Sequence, residues 1–323
     1  MKAVALFSGG LDSLLSIRII ESQSIEVIPV TFITHFFNNE RANKSAYKNN
    51  LSLVTLDISH KHFNISLHPK YGYGRGFNPC IDCHALMIKE AYNYMSKISG
   101  LFLITGEVLG QRPKSQTKTS LSRVDELTKL GDITLRPLSA KLLKPTMPER
   151  EGIVDRNKFY GISGRSREIQ LRLAEKFKIT EYGSPGGGCI LTNKSTSKRL
   201  FTALKECNID ESLIKLLLIG RHFRLNNSLF IVSRNKKEGE VLRDYDLNFF
   251  GLSDIKGPTG KLIPCGKNFN GQSEVSLKDD TLLASRVLAR YAGNSIVKVK
   301  LPDDIELSVE PLDKYICEKL LIK

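Results

Sequence analysis

Residues 1–20 read MKAVALFSGGLDSLLSIRII, and this stretch decides the fold. Ala3–Phe7 is a short apolar run that stops at Ser8-Gly9-Gly10, and from Ser13 onward Leu14, Leu15, Ile17 and Ile20 recur at helical spacing, giving strand, loop, helix. In such a turn the backbone N–H groups point outward. The glycines admit a phosphate closely, and the following helix adds its positive N-terminal end. Ser8 and Ser13 supply hydroxyls to the same place. No lysine follows these glycines, so the loop is not the G-x-x-x-x-G-K-[ST] cradle used to transfer a γ-phosphoryl group. The bland alternative is an Asp-capped helix start after a tight turn.

Working outward, the apolar runs Val27–Phe32 and Leu53–Ile58 flank a helix-compatible stretch, Ala42–Asn50, as parallel strands joined by a crossover helix do. A fourth run, Leu101–Thr105, ends in Gly106. The pattern predicts an α/β fold with a doubly wound parallel sheet, whose ligands lie beyond the carboxyl ends of the strands. Gly9, Gly10 and Gly106 would share that edge. After Cys189 the texture changes. Lys198–Cys207 and Glu211–Leu218 read as helices, and Ser228–Ser233, Leu247–Leu252, Ser295–Leu301 and Glu306–Glu310 as strands. These predict a smaller α+β C-terminal domain, with domains at 1–197 and 198–323.

The 323 residues suffice for two packed cores, and 41% apolar with 25% charged residues is globular composition. The chain has no run of about 18 apolar residues, and its start breaks into glycines too early for a secretory h-region. A cytoplasmic location without a membrane partner is expected. Lys and Arg number 48 against 34 Asp and Glu, and the net charge of +14 builds a field that attracts phosphate polyanions. A generally basic proteome would give the same excess.

The six cysteines are unevenly spaced, and a reducing cytosol argues against structural disulfides. A close pair therefore reads as metal or redox chemistry. Asn78-Pro79-Cys80-Ile81-Asp82-Cys83-His84 holds such a pair, just before a helix expected over His84–Ile98. A third thiol, Cys189, follows Pro185-Gly186-Gly187-Gly188, a turn nearly bare of side chains. Three readings stand side by side. In the first, three thiolates hold an iron–sulfur cluster and leave one iron open to an exchangeable ligand. In the second, Cys189 carries a persulfide and Cys80 or Cys83 resolves it. In the third, His84 completes a zinc site. Cys207, Cys265 and Cys317 have no close partners in sequence and read as ordinary core thiols.

The hexapeptide S-G-G-x-D-S at Ser8–Ser13 resembles the PP-loop of the ATP pyrophosphatases, which cleave ATP between its α- and β-phosphates. The resemblance implies that Ser8, Gly9, Gly10, Leu11 and Ser13 hold the pyrophosphate, and that Asp12 fixes the loop and reaches Mg2+. Thr31, Phe32, Thr105, Gly106 and Gln111 complete the nucleotide set expected from it. Together with N-P-C-x-x-C and the glycine-rich turn before Cys189, the loop is similar to the tRNA thiolation enzymes of the ThiI, MnmA and TtuA groups. Thr105-Gly106-Glu107 through Gln111, then Ser115-Gln116-Thr117 and Leu135-Arg136-Pro137-Leu138, look closest to ThiI, over about residues 1–195. By motif match, the resemblance makes Cys80, Cys83 and Cys189 the ligands of a [4Fe–4S] cluster and, with Asp12, the catalytic residues.

The activity so implied is ATP-dependent thiolation of a tRNA uridine, with 4-thiouridine favoured over 2-thiouridine. Its cofactors are ATP, Mg2+ and the cluster. Its partners are tRNA and a sulfur donor, either sulfide or a persulfide carrier protein, with a homodimer left open. Arg112, Lys114, Arg136, Arg165 and Arg167 are candidate phosphate-stabilising cations. The chain departs from ThiI in two expected absences, a THUMP-type RNA module and a rhodanese-like domain. For RNA capture, Gly220-Arg221-His222-Phe223-Arg224 with Ile231–Glu238 resembles the NFACT-R module, against the neutral reading of a solvated basic face. Two other functions keep part of this pattern: a PP-loop amidase or nitrile synthase that transfers nitrogen, and a non-catalytic RNA-binding protein.

Overall fold

A computed structural model describes residues 1–183, 189–207, 209–245, 248–265, 274–293, 295–302 and 305–323. It divides into two compact units, Met1–Cys189 and Ile190–Lys323. The division falls ahead of the expected 197/198 boundary because residue 198 lies inside helix α8, Lys194–Phe201.

In the first unit the elements run β1 (Lys2–Leu6), α1 (Leu11–Glu21), β2 (Glu26–Ile33), α2 (Glu40–Lys48), β3 (Val54–Asp57), α3 (Ser59–Leu67), α4 (Cys80–Lys97), β4 (Phe102–Ile104), α5 (Lys118–Thr128), β5 (Thr134–Leu135), α6 (Met147–Arg150) and α7 (Glu168–Lys176). The strands form one sheet in the order β3-β2-β1-β4-β5, with every pairing parallel. Successive side chains of a strand point to opposite faces. Accordingly Ala3 and Ala5 enter one apolar layer with Leu14, Ile17 and Phe102, and Val4 enters the other with Val30, Phe32, Ile88 and Leu103. Burial on both faces is why β1 reads as an unbroken apolar run rather than an alternating one. Each fully buried Leu or Ile, such as Leu14 and Ile17, contributes roughly 1.5–3 kcal/mol.

The winding reverses between β1 and β4, and the crevice beyond their carboxyl ends is where open α/β sheets bind ligands. The Ser8–Ser13 loop leaves β1 there, and Thr105-Gly106 leaves β4 beside it. Helix α4 starts at Cys80, four residues before the expected His84. Pro79 sits at its N-cap with Cys83 N–H bonded to Pro79 O at 2.8 Å, and Asp82 lies in the first turn, where the helix dipole favours an anion.

The second unit opens with α8 and a π-helical turn, Thr202–Glu206, followed by α9 (Ile214–Leu218), β6 (Arg221–Arg224), β7 (Ser228–Val232), α10 (Lys236–Arg243), β8 (Asn248–Leu252), β9 (Gly260–Pro264), α11 (Glu274–Ala292), β10 (Val297–Lys300), β11 (Glu306–Val309) and α12 (Lys314–Leu320). Its sheet order is β11-β10-β8-β9-β7-β6, antiparallel throughout the described pairings. Two strands were not expected, β6 because its arginines read as a basic surface and β9 because of its Gly and Pro. Residue 247, expected to start a strand, lies outside the described residues. Cys317 is the buried free thiol expected, but Cys207 and Cys265 are not free: they form a disulfide across 58 residues. Folding places the end of β9 against the π-helical turn, a long-range contact that sequence spacing does not disclose. Among the described residues no helix is long and apolar enough to cross a membrane.

Candidate functional site: a nucleotide loop beside three thiols

The loop is shaped by close packing. Gly9 adopts φ +71°, and a Cβ there would stand 2.7 Å from Arg41 O, so only glycine fits. Ser13 Oγ donates to Gly10 O at 2.8 Å and lies 3.4 Å from Ser8 Oγ, while Gly10 N–H reaches Ser8 Oγ at 3.4 Å. A Cβ on Gly106 would meet Ser13 N at 2.6 Å, so the end of β4 presses directly on the start of α1. Asp12 Oδ2 accepts from Gln111 Nε2 at 2.7 Å, and Gln111 Oε1 accepts from Gln170 Nε2 at 2.9 Å. Asp12 Oδ1 is buried without a hydrogen bond, with Arg167 Nη2 at 3.8 Å, an orphaned anionic oxygen that suits a cation brought by the ligand. Leu11 is buried in the apolar core, Thr31 is buried in β2, and the Phe32 ring belongs to an apolar layer.

Arg41, in the first turn of α2, was not singled out from the sequence. Burial first, and then repulsion from Arg112 and Arg167, lowers its pKa, so these three guanidiniums share one neighbourhood. A Cβ on Gly10 would approach Arg41 Nη2 to 3.3 Å, and one on Gly183 would collide with the Arg41 Nε. Gly183 N–H in turn donates to Gly9 O at 2.9 Å. The available signal was positional, since a basic residue in the helix after β2 reaches the carboxyl edge of the sheet. Arg112, Lys114 and Arg165 are exposed. Arg136 does not serve as a phosphate cation, because its fork is taken by Glu107 (Nε–Oε2, 3.0 Å) and Asp125 (Nη2–Oδ1, 2.9 Å) in the interior.

Cys80 and Cys83 stand one turn apart on α4 and therefore on one helix face. Asn78 Nδ2 donates to Cys80 Sγ at 2.9 Å. Burial first, then the nearby Cys189, Cys80 and Asp82, pushes the Cys83 thiol up, so Cys189 and Cys80 both lie within electrostatic reach of Cys83. The Pro185–Gly188 turn lies outside the described residues. Among the described residues no three His, Cys, Asp or Glu side chains form a chelate for one metal ion. That gives no support to a zinc site, and His84 Nδ1 already meets Glu107 Oε1 at 3.0 Å. Three soft thiol donors fit a [4Fe–4S] cluster, which spreads its cysteines over separate irons.

Glu107 links the two halves of the site. Burial alone would raise its carboxyl, but Arg136 and then His84 outweigh burial and hold it at about 2. Thr105 Oγ1 also donates to its Oε2 at 3.1 Å. Through Thr105-Gly106-Glu107, therefore, one short segment touches Ser13 of the nucleotide loop and His84 beside Cys83. The charge node at Glu107 was invisible in sequence because its partners lie 23 and 29 residues away.

Residues 1–141 match the family model described as Thiamine biosynthesis protein (ThiI). The chain is 32% identical over 127 residues to a probable tRNA sulfurtransferase of Methanosarcina mazei, a match spanning 37% of this chain and 31% of the relative. The chain thus spans about a third of that relative's length. Among solved structures it is similar to a 4-thiouridine synthetase–RNA complex with bound ATP (TM-score 0.36, 18% identity, 55% of this chain and 51% of that one). It is also similar to the U34-tRNA thiolase NcsA of Methanococcus maripaludis with its [4Fe–4S] cluster (TM-score 0.31, 14% identity, 67% and 69%). These overlaps are partial, and the chemistry of the site rests on its own geometry.

Proposed function

We propose that this chain is an ATP-dependent tRNA uridine sulfurtransferase, with 4-thiouridine the favoured product. The observation that carries the reading is the shared β4 end, with a phosphate-cradling loop against Gly106 and, through His84 on Glu107, the helix that bears Cys80 and Cys83. ATP would lie along the carboxyl edge, its β- and γ-phosphates received by the Ser8–Ser13 loop and its Mg2+ met by Asp12. The uridine carbonyl oxygen attacks the α-phosphorus, the P–O bond to the β-phosphate breaks and pyrophosphate leaves. Arg41, Arg112 and Arg167 would stabilise the charge on the transferring phosphate. A sulfide nucleophile then adds to the activated carbon, and the C–O bond breaks with the electron pair leaving on AMP.

Cys80, Cys83 and Cys189 would hold a [4Fe–4S] cluster, which when bound supplies an iron able to present sulfide. Asn78 orients Cys80, and the Glu107–His84 contact fixes the helix that bears Cys83. In the second unit, Lys236 and Lys237 are exposed and suit RNA phosphates, as an NFACT-R-like role requires. The test is release of AMP and pyrophosphate from ATP by the full chain with unmodified tRNA, run in parallel with Ser13→Ala. Release that requires RNA and is lost in Ser13→Ala supports the reading. Release with ammonia and a small acid in place of RNA contradicts it.

A further inference from the structure

Residues 68–79 read HPKYGYGRGFNP and lead directly into Cys80. A stretch so rich in Gly, Tyr and cations ordinarily reads as slack linker. Here it is clamped. The Asp82 carboxylate, between the two thiols, accepts Lys70 N–H at 2.8 Å and Tyr71 N–H at 3.1 Å. Asn78 accepts Gly76 N–H on Oδ1 at 2.9 Å and Gly74 N–H on its backbone oxygen at 2.8 Å, while its amide nitrogen serves Cys80. Tyr73 stacks on the buried Phe77 with ring centroids 4.9 Å apart, and its hydroxyl donates to Ser66 O at 2.7 Å.

What this anchoring holds outward is cationic and aromatic. Lys70 and Arg75 are exposed, and exposed Arg123 of α5 lies 5.1 Å over the Tyr71 ring, with Lys70 Nζ 5.5 Å from the same ring. The neighbouring carboxylate Glu126 accepts the Tyr71 hydroxyl at 3.2 Å. Among the described residues Lys70, Arg75 and Arg123 form no ion pair. Lys70 and Arg123 share one ring and repel one another, Arg75 adds a third exposed cation on the same loop, and a polyanion relieves that repulsion. A pre-ordered loop also loses little conformational freedom on binding.

We propose that this clamped loop, through Lys70, Tyr71 and Arg75 with Arg123, docks the RNA backbone flanking the nucleotide that receives sulfur. The inference rests on the reading of this chain as a tRNA sulfurtransferase and names where the substrate is gripped. Guanidinium and ammonium groups pair with phosphates, and a Tyr ring offers a stacking face to an unpaired base. The hydrogen bonds from Lys70 and Tyr71 N–H to Asp82 fix these contacts relative to the thiols whatever side chains the loop carries.

The test is binding of an unmodified tRNA transcript to the full chain, wild type against a K70A/R75A/R123A variant, across a salt series, with ATP affinity measured alongside. Expected is at least about a tenfold loss of tRNA affinity near 0.15 M salt, with a shallower salt dependence, about 0.9 in log–log slope per lost phosphate contact. ATP affinity stays unchanged, and K70R/R75K/R123K restores binding. Equal affinity and slope in the triple variant, where wild type binds tRNA and thiolates it, overturns the docking surface alone. No tRNA binding by wild type sinks the sulfurtransferase reading and this inference together. Unchanged tRNA binding with lost response to a persulfide carrier protein makes the loop a protein contact and also overturns it.

Discussion

Gln111 Nε2 donates to Asp12 Oδ2 at 2.7 Å, tying the nucleotide loop after β1 to the segment after β4. Gln111→Leu removes this bond and leaves the buried Gln170 amide without its acceptor, an orphaning that costs about 1–3 kcal/mol. The expected outcome is a lower Tm together with weaker ATP binding, read by thermal melts and nucleotide titration. A loss of stability with unchanged ATP affinity would separate Asp12 from the nucleotide.

At Gly106 the constraint is steric, because an added Cβ meets the backbone where Asp12 joins Ser13. Gly106→Ala should cost about 1–3 kcal/mol from overpacking and displace the loop, so that ATP binding falls in the same variant. Gly161→Ala, whose nearest neighbour would be 3.5 Å away, is the control and should be silent in both measurements.

Arg41→Gln should weaken binding of inorganic pyrophosphate by roughly tenfold or more, as expected when one charge-assisted contact worth about 1.5–3 kcal/mol is removed. AMP affinity should be little changed. Calorimetric titration of both ligands decides the matter, and parallel losses for the two would place Arg41 elsewhere in the nucleotide.

The parallel sheet was legible because its strands read as near-continuous apolar runs, and the phosphate loop because it is local, β1, the two glycines and α1 lying within the first twenty-odd residues. The C-x-x-C pair was legible for the same reason, as Cys80 and Cys83 share one helical turn. What stayed hidden was long-range. Arg41 joins the site only once β2 lies beside β1, Glu107 finds its partners on α4 and beyond β5, and Cys207 meets Cys265 only when the π-helical turn packs against the end of β9. Strand β6 was concealed by its arginines. Arg221 lies 4.8 Å over the Tyr291 ring, while His222 and Phe223 between the two arginines are buried.

Acid sensitivity of the first unit has a local source at His62, which packs against Phe36 and Phe37 and whose pKa burial, with His35 nearby, lowers to about 4. In the unfolded chain it titrates near 6.5, so between about pH 6.5 and 4 the unfolded state binds the extra proton. Stability is therefore full above that window and falls as the pH drops through it. Tm measured from pH 7 to 4 should decline less steeply in His62→Phe than in wild type, and identical slopes would remove His62 as the source.

The central claim is that Cys80, Cys83 and Cys189 serve sulfur transfer to a base activated by ATP held in the Ser8–Ser13 loop. It is tested most directly by incubating anaerobically prepared protein with ATP, Mg2+, sulfide and unmodified tRNA, then analysing the digested nucleosides by mass spectrometry. The account predicts a thiouridine, with the retention of 4-thiouridine, that disappears in Cys83→Ser and in Ser13→Ala. Iron- and sulfide-replete protein that yields no thionucleoside, or a yield untouched by either substitution, would contradict it.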